Sequence, residues 1–259
     1  MSGEGAARPE VGAGGRVDLH IPEGHRRGEQ MSWPQRAFYR FMWYVVQAIG
    51  RGYFRAEVVG SHNVPRDGAF IVSPIHRSNL DTPIVAAITR RRLRYMGKES
   101  LWASKPGGWF LSVLGGFPVK RGTADREALR ACIEVIERGE PLVMFPEGTR
   151  QHGPDIAPLF DGPAYVACRT QVPIVPVGIG GSEAAMGKGT KLPRPAKMTL
   201  VVGQPIWPPA PADSGRVPRR AIRELTDRLG SEIQVLFDEA QALAGQPNEH
   251  ADAGPTSPA

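Results

Sequence analysis

The stretch His76-Arg77-Ser78-Asn79-Leu80-Asp81 sets a histidine and an aspartate five residues apart. Imidazole is the side chain best suited to take a proton near neutral pH. A carboxylate beside it can hold the other ring nitrogen as N–H and stabilise the imidazolium that forms. A loop of this length can fold back so that the two side chains meet. Such a pair gives a base and its orienter but no nucleophile, so the nucleophile would come from a substrate. Taken alone, the spacing also fits a loop histidine capped by a nearby carboxylate.

The elements that must position the pair are legible on both sides of it. Ala69 to Ser73 reads as a buried strand running into the His76 loop, and Thr82-Pro83 as the N-cap and first residue of a helix to about Arg90. The run Arg90-Arg91-Arg92-Leu93-Arg94 then reads as a solvated helix end, with lipid headgroups or a nucleotide phosphate as the alternative. Further strands are expected at 57–60, 95–98, 141–145, 172–179 and 198–202, and helices at 123–138, 162–170 and 218–243. Residues 99–114 are apolar but broken by Lys105-Pro106-Gly107-Gly108; they suit an acyl channel, a membrane contact or core packing. Strands alternating with helices predict an α/β fold, a mixed and mostly buried sheet flanked by helices, with catalytic residues on loops after strand ends.

The ends of the chain differ from its body. Residues 1–30 are rich in Gly, Arg and Glu and read as a disordered leader without the apolar core of a signal peptide. Residues 244–259 read as a disordered tail, which leaves 55–243 as the catalytic domain. Between leader and domain, 31–54 is aromatic and apolar, with Arg36, Arg40, Gln47 and Arg51 on one helical stripe. The apolar run is too short to span a bilayer. Aromatics opposite a basic stripe predict an amphipathic helix in the membrane interface, holding the protein monotopically at the cytoplasmic face; the alternative is a core helix packed on the domain.

The formal charge is +6, and because the first 30 residues carry −1 and residues 244–259 carry −2, residues 31–243 carry +9. A basic body suits a polyanion, an anionic membrane or phosphorylated substrates. The basic residues are spread along the chain without a nucleic-acid-binding motif, so nucleic acid is not an expected partner. Cys132 and Cys168 lie in helix-like apolar contexts and read as buried thiols in a reduced compartment. No Cys/His cluster has metal-ligand spacing.

Four blocks stand in order: His76-Arg77-Ser78-Asn79-Leu80-Asp81, Gly116-Phe117-Pro118-Val119-Lys120-Arg121, Phe145-Pro146-Glu147-Gly148-Thr149-Arg150 and Val172-Pro173-Ile174-Val175-Pro176-Val177. Over about residues 33–207 the chain resembles the glycerolipid acyltransferase family, which includes 1-acylglycerol-3-phosphate and glycerol-3-phosphate acyltransferases. The resemblance implies acyl transfer from acyl-CoA or acyl-carrier protein to the free hydroxyl of 1-acylglycerol-3-phosphate, giving phosphatidic acid, without a cofactor or metal. Glycerol-3-phosphate or another glycerolipid or glycolipid acceptor is the alternative. It implies His76 as general base and Asp81 as its partner. It further implies acceptor binding by Lys120, Arg121, Glu147, Gly148, Thr149 and Arg150. Guanidinium groups suit a phosphate monoester, and Gly148 would let backbone approach a ligand closely. Two positions depart from the family pattern: Ile75 stands where Asn often precedes the histidine, and Lys120 where an acidic residue often precedes the arginine. Ser78 matches a common family serine and is expected to cap the loop.

Overall fold

The computed structural model describes residues 31–119, 125–187, 189–211 and 217–249. The leader 1–30, the cations Lys120 and Arg121, and residues 250–259 of the expected tail lie outside the described residues. Among the described residues, seven strands form one sheet: β1 (Glu57–Val59), β2 (Ile71–Pro74), β3 (Arg94–Lys98), β4 (Gly116–Val119), β5 (Leu142–Val143), β6 (Ile174–Gly180) and β7 (Thr199–Val202). Their order is β1-β7-β6-β2-β5-β3-β4. Only β6 and β7 pair antiparallel; every other pair is parallel. The mixed α/β sheet expected from the sequence is therefore present.

The central strands β2, β5 and β6 are buried along their whole length. That is why their sequences are near-continuous apolar runs rather than alternating ones. The helices α1 (Trp33–Gly52), α2 (Asp81–Ile84), α3 (Lys105–Val113), α4 (Asp125–Glu137), α5 (Gly162–Thr170), α6 (Ser182–Met186) and α7 (Arg219–Leu243) connect and cover the sheet. Helix α7 lies so close to β6 that a Cβ at Gly178 or Gly180 would run into the carbonyl of Leu236 or Ala240. Because β2, β3, β4, β5 and β6 share one direction, the loops that leave their carboxyl ends meet at one edge of the sheet. In open α/β sheets this is the edge where ligands bind.

Several local expectations change. The helix after the His76 loop begins at Asp81 rather than Thr82, and after Ile84 it tightens into the 3-10 turn Val85–Ile88. The break at 105–108 is the start of α3: the Ser104 hydroxyl accepts from the Gly107 N–H at 3.2 Å, and Pro106 sits in the first turn. The short helix α6 has no counterpart in the sequence reading. Residues 244–249, read as tail, continue the fold: Ala244 is buried, and the Asn248 amide donates to Asp238 Oδ1 at 2.7 Å.

The arginine run is not a solvated helix end. Arg91 donates to the Pro65 and Gly139 carbonyls and lies over the Phe70 ring, and Arg94 pairs with Glu140. Arg92 donates to the Ser112 and Val113 carbonyls; burial, helped by the nearby charge of Arg94, pulls its guanidinium down to about 10. Arg90 alone stays exposed.

Helix α1 is also more than a surface stripe. The Trp43 indole donates to the Ala86 and Thr89 carbonyls at 3.1 Å, and Phe38 packs on Trp109 and Phe110 of α3. Gln47 is only 6% exposed, so the residues at 36, 40, 47 and 51 do not share a solvent face. The outer face instead carries Trp33, Phe41 and Tyr44, interleaved with Arg40 and Arg51.

Candidate active site

The loop leaving β2 wraps around one carboxylate oxygen. Asp81 Oδ2 accepts from His76 Nδ1 at 3.0 Å and from the backbone N–H groups of Arg77 and Ser78, each at 2.6 Å. Two backbone donors fix the carboxylate before the imidazole is considered, and Asp81 is fully buried. A carboxylate oxygen only accepts, so this contact puts the proton on Nδ1 and leaves the lone pair on Nε2. His76 keeps 16% of its side-chain surface open, and its ring stacks on Phe145 with centroids 4.0 Å apart. The imidazole is thereby held in plane, tautomer and direction by groups on two adjacent strands' loops. Ser78 does more than cap: its hydroxyl accepts from the Leu80 N–H and donates to the Met186 carbonyl at 2.7 Å, tying the loop to the end of α6.

The loop after β5 is sewn to the His76 loop by its own carboxylate. Glu147 Oε2 accepts from the His76 N–H at 2.8 Å, and the His76 carbonyl accepts from the Gln151 N–H at 2.9 Å. Glu147 also receives Arg77 Nη1 on both oxygens, at 2.7 and 3.0 Å, and the Ala157 N–H. The side chains of Arg77 and Glu147 are each 1% exposed. The Glu147 carboxylate, expected from the resemblance to bind the acceptor, is buried and bonded within the protein. Arg77, absent from the sequence-derived set, is the residue that commits it. Nothing in the local sequence marks Arg77 as buried; its only clue is the acidic residue in the third block.

The rest of the third block is open. Gly148 has φ +70°, a left-handed conformation that favours glycine, and a Cβ there would push aside the exposed Phe160 ring. Gly148 and Thr149 are exposed and Arg150 is half-buried. The Arg150 guanidinium makes no hydrogen bond or ion pair to any described residue, whereas the Thr149 hydroxyl accepts from the Gln151 amide. Strand β4 points its carboxyl end to the same edge, and Val119 is its last described residue. Ile75, at the position where Asn was expected, is fully buried, and its N–H extends the pairing with β6 through the Val177 carbonyl. Its side chain belongs to the core and takes no part in the loop's hydrogen bonds. Among the described residues no group of three or more His, Cys, Asp or Glu side chains is placed to hold a metal ion.

Residues 55–180 match a family model described as Acyltransferase. A 1-acyl-sn-glycerol-3-phosphate acyltransferase of Bacillus subtilis is 27% identical over 189 residues, which cover 72% of this chain and 90% of that protein. The human 1-acyl-sn-glycerol-3-phosphate acyltransferase alpha is 30% identical over 128 residues, 48% of this chain and 44% of that protein. A chloroplastic 1-acyl-sn-glycerol-3-phosphate acyltransferase of Brassica napus is 24% identical over 60% of this chain and 46% of its own length. The chain thus spans most of the bacterial relative and under half of the plant and human ones. The crystal structure of the 1-acyl-sn-glycerophosphate acyltransferase PlsC from Thermotoga maritima shares the fold with a TM-score of 0.63 at 23% identity, covering 85% of this chain and 86% of that one.

Proposed function

The chain belongs to the acyltransferase family, and on that premise we propose that it moves a fatty acyl group from acyl-CoA or acyl-carrier protein to the free hydroxyl of a 1-acylglycerol-3-phosphate, forming phosphatidic acid. The observation that carries the reading is the His76 Nδ1–Asp81 Oδ2 contact of 3.0 Å, a base held by a buried carboxylate. His76 Nε2 takes the proton of the acceptor hydroxyl as its oxygen attacks the thioester carbonyl. The tetrahedral intermediate collapses, the C–S bond breaks, and the imidazolium returns the proton to the leaving thiolate. Asp81 stabilises the imidazolium in between, so neither an acyl-enzyme nor a cofactor is needed. In this scheme Arg150, with Lys120 and Arg121, meets the acceptor phosphate, and Gly148 and Thr149 offer backbone beside it. Glu147 holds the loop instead.

The test is acyl transfer from labelled long-chain acyl-CoA, and separately from acyl-carrier protein, to lysophosphatidic acid, glycerol-3-phosphate and unphosphorylated monoacylglycerol. Transfer to lysophosphatidic acid is the expected result. Preference for glycerol-3-phosphate or for an unphosphorylated acceptor moves the substrate to the alternative reading, and no transfer to any acceptor from either donor overturns the function.

Such a substrate is presented at a membrane surface, and α1 suits one. No described helix is long and apolar enough to cross a membrane. The exposed rings of α1, Trp33 at 73%, Phe41 at 61% and Tyr44 at 63%, lie among arginines on its outer face. Trp109 of α3, which packs on Phe38 of α1, is exposed as well. An interface-seated helix of this kind makes the protein monotopic, here at the cytoplasmic face. Replacing Trp33 and Phe41 together by serine should reduce flotation with liposomes by more than about tenfold, since each buried aromatic contributes about 1.5–3 kcal/mol. A wild-type chain that never floats would refute the docking face.

A further inference from the structure

With His76 as the base of the proposed reaction, on which this rests, we infer that Phe145 is its positioning residue. The phenyl ring holds the imidazole by its face and favours the imidazolium that forms when Nε2 takes a proton.

The two rings are stacked, with centroids 4.0 Å apart and planes 27° from parallel. The chain fixes the backbone under each of them. Strands β2 and β5 are parallel neighbours, with Ile71 beside Leu142 and Val72 beside Val143. His76 and Phe145 each stand two residues past the end of their strand, so they leave the sheet side by side. The Met144 N–H donates to the Val72 carbonyl at 2.9 Å, and the Phe145 carbonyl accepts from the Gly148 N–H at 3.1 Å. Pro146 restricts the backbone of Phe145 further. The His76 N–H donates to Glu147 Oε2 at 2.8 Å, which ties the backbone of one ring to the loop that carries the other. Phe145 is partly buried and packs against the core.

This contact supplies what Asp81 does not. The carboxylate grips the imidazole at one atom, Nδ1. A ring held at one atom can still swing about that contact and carry Nε2 out of line with an acceptor hydroxyl. A contact on the ring face removes that freedom, and a misplacement of about 1 Å at reacting atoms can cost about a hundredfold in rate. The phenyl face is also the negative end of its quadrupole. A neutral imidazole gains little from it, whereas an imidazolium is attracted as other cations are. An interaction that strengthens as the proton is taken lowers the barrier instead of tightening substrate binding.

The test compares Phe145→Leu and Phe145→Met, which keep apolar bulk without a ring, with Phe145→Tyr, which keeps the ring. In the full chain, kcat for transfer to lysophosphatidic acid should fall about threefold to thirtyfold in the Leu and Met variants. KM for the acceptor should hold, Tm should fall by no more than about 6 °C, and the Tyr variant should turn over like wild type. Proton NMR of the His76 ring, assigned against His76→Ala, reads the stack without turnover. Its C–H resonances should lie upfield of those of the exposed His62 and His152 in wild type and Phe145→Tyr, and should move downfield in Phe145→Leu and Phe145→Met. Leu and Met variants with wild-type kcat, a Tyr variant as slow as they are, or wild-type His76 resonances at the positions of the exposed histidines would each overturn the proposal. A wild type that transfers no acyl group would refute the reaction, while the NMR shifts would still decide whether Phe145 holds the imidazole.

Discussion

Alanine at position 76 should lower kcat about 10²–10⁴-fold, the range in which a positioned general base contributes. The expectation follows from how little else the imidazole does. Asp81 Oδ2 keeps its two backbone donors, Arg77 N and Ser78 N, when the ring is removed. Glu147 and Gln151 likewise bind the backbone of residue 76 rather than its side chain. The loop therefore survives the substitution, Tm should change little, and KM for the acceptor should stay close to wild type. A fall in kcat with these two quantities steady identifies His76 as the base. Activity that persists in the variant would overturn the mechanism, because among the described residues no other histidine is held by a buried carboxylate. Steady-state kinetics with labelled acyl-CoA and a thermal melt measure all three quantities.

Much of this site could be read from the sequence because its chemistry is concentrated in contiguous blocks. His76 and Asp81 are close in the chain as well as in space, and strands buried on both faces write themselves as apolar runs. What stayed hidden depends on contacts between distant segments. The residues at 36, 40, 47 and 51 satisfy helical spacing, yet spacing cannot tell that Gln47 faces the domain; packing against the turn after α2 decides that. The arginines after Ile88 look like a solvated run because five charged or apolar letters in a row carry no sign of the carbonyls that receive them, which come from Pro65, Ser112, Val113 and Gly139. Glu147 illustrates the same point inside the site. Its block suggests ligand binding, but its partner Arg77 lies 70 positions away, next to His76.

That partnership gives the largest expected effect on stability. Arg77 Nη2 donates to the Asp155 carbonyl at 2.8 Å and Nε to the Gly153 carbonyl, and the guanidinium lies over Phe237 of α7 at 5.1 Å. The ion pair with Glu147 therefore joins the loop after β2, the loop after β5, the segment 153–157 and the helix on the far side of them. Removing one member strands a buried charge. Arg77→Met should cost about 3–5 kcal/mol, and Glu147→Leu a similar amount, whereas changing both at once should recover most of the loss, because no buried charge is then left without its counter-charge. For a domain of this size each single change lowers Tm by roughly 10 °C. The double variant also separates fold from chemistry. Its core is restored, but the His76 N–H has lost its acceptor and the imidazole one of the ties that orient it. Its Tm should thus approach wild type while kcat remains depressed. A pair of single variants that melt like wild type would show the buried pair to be unimportant. A double variant as unstable as the singles would show that the carbonyl contacts of Arg77, not its charge, hold the loops together.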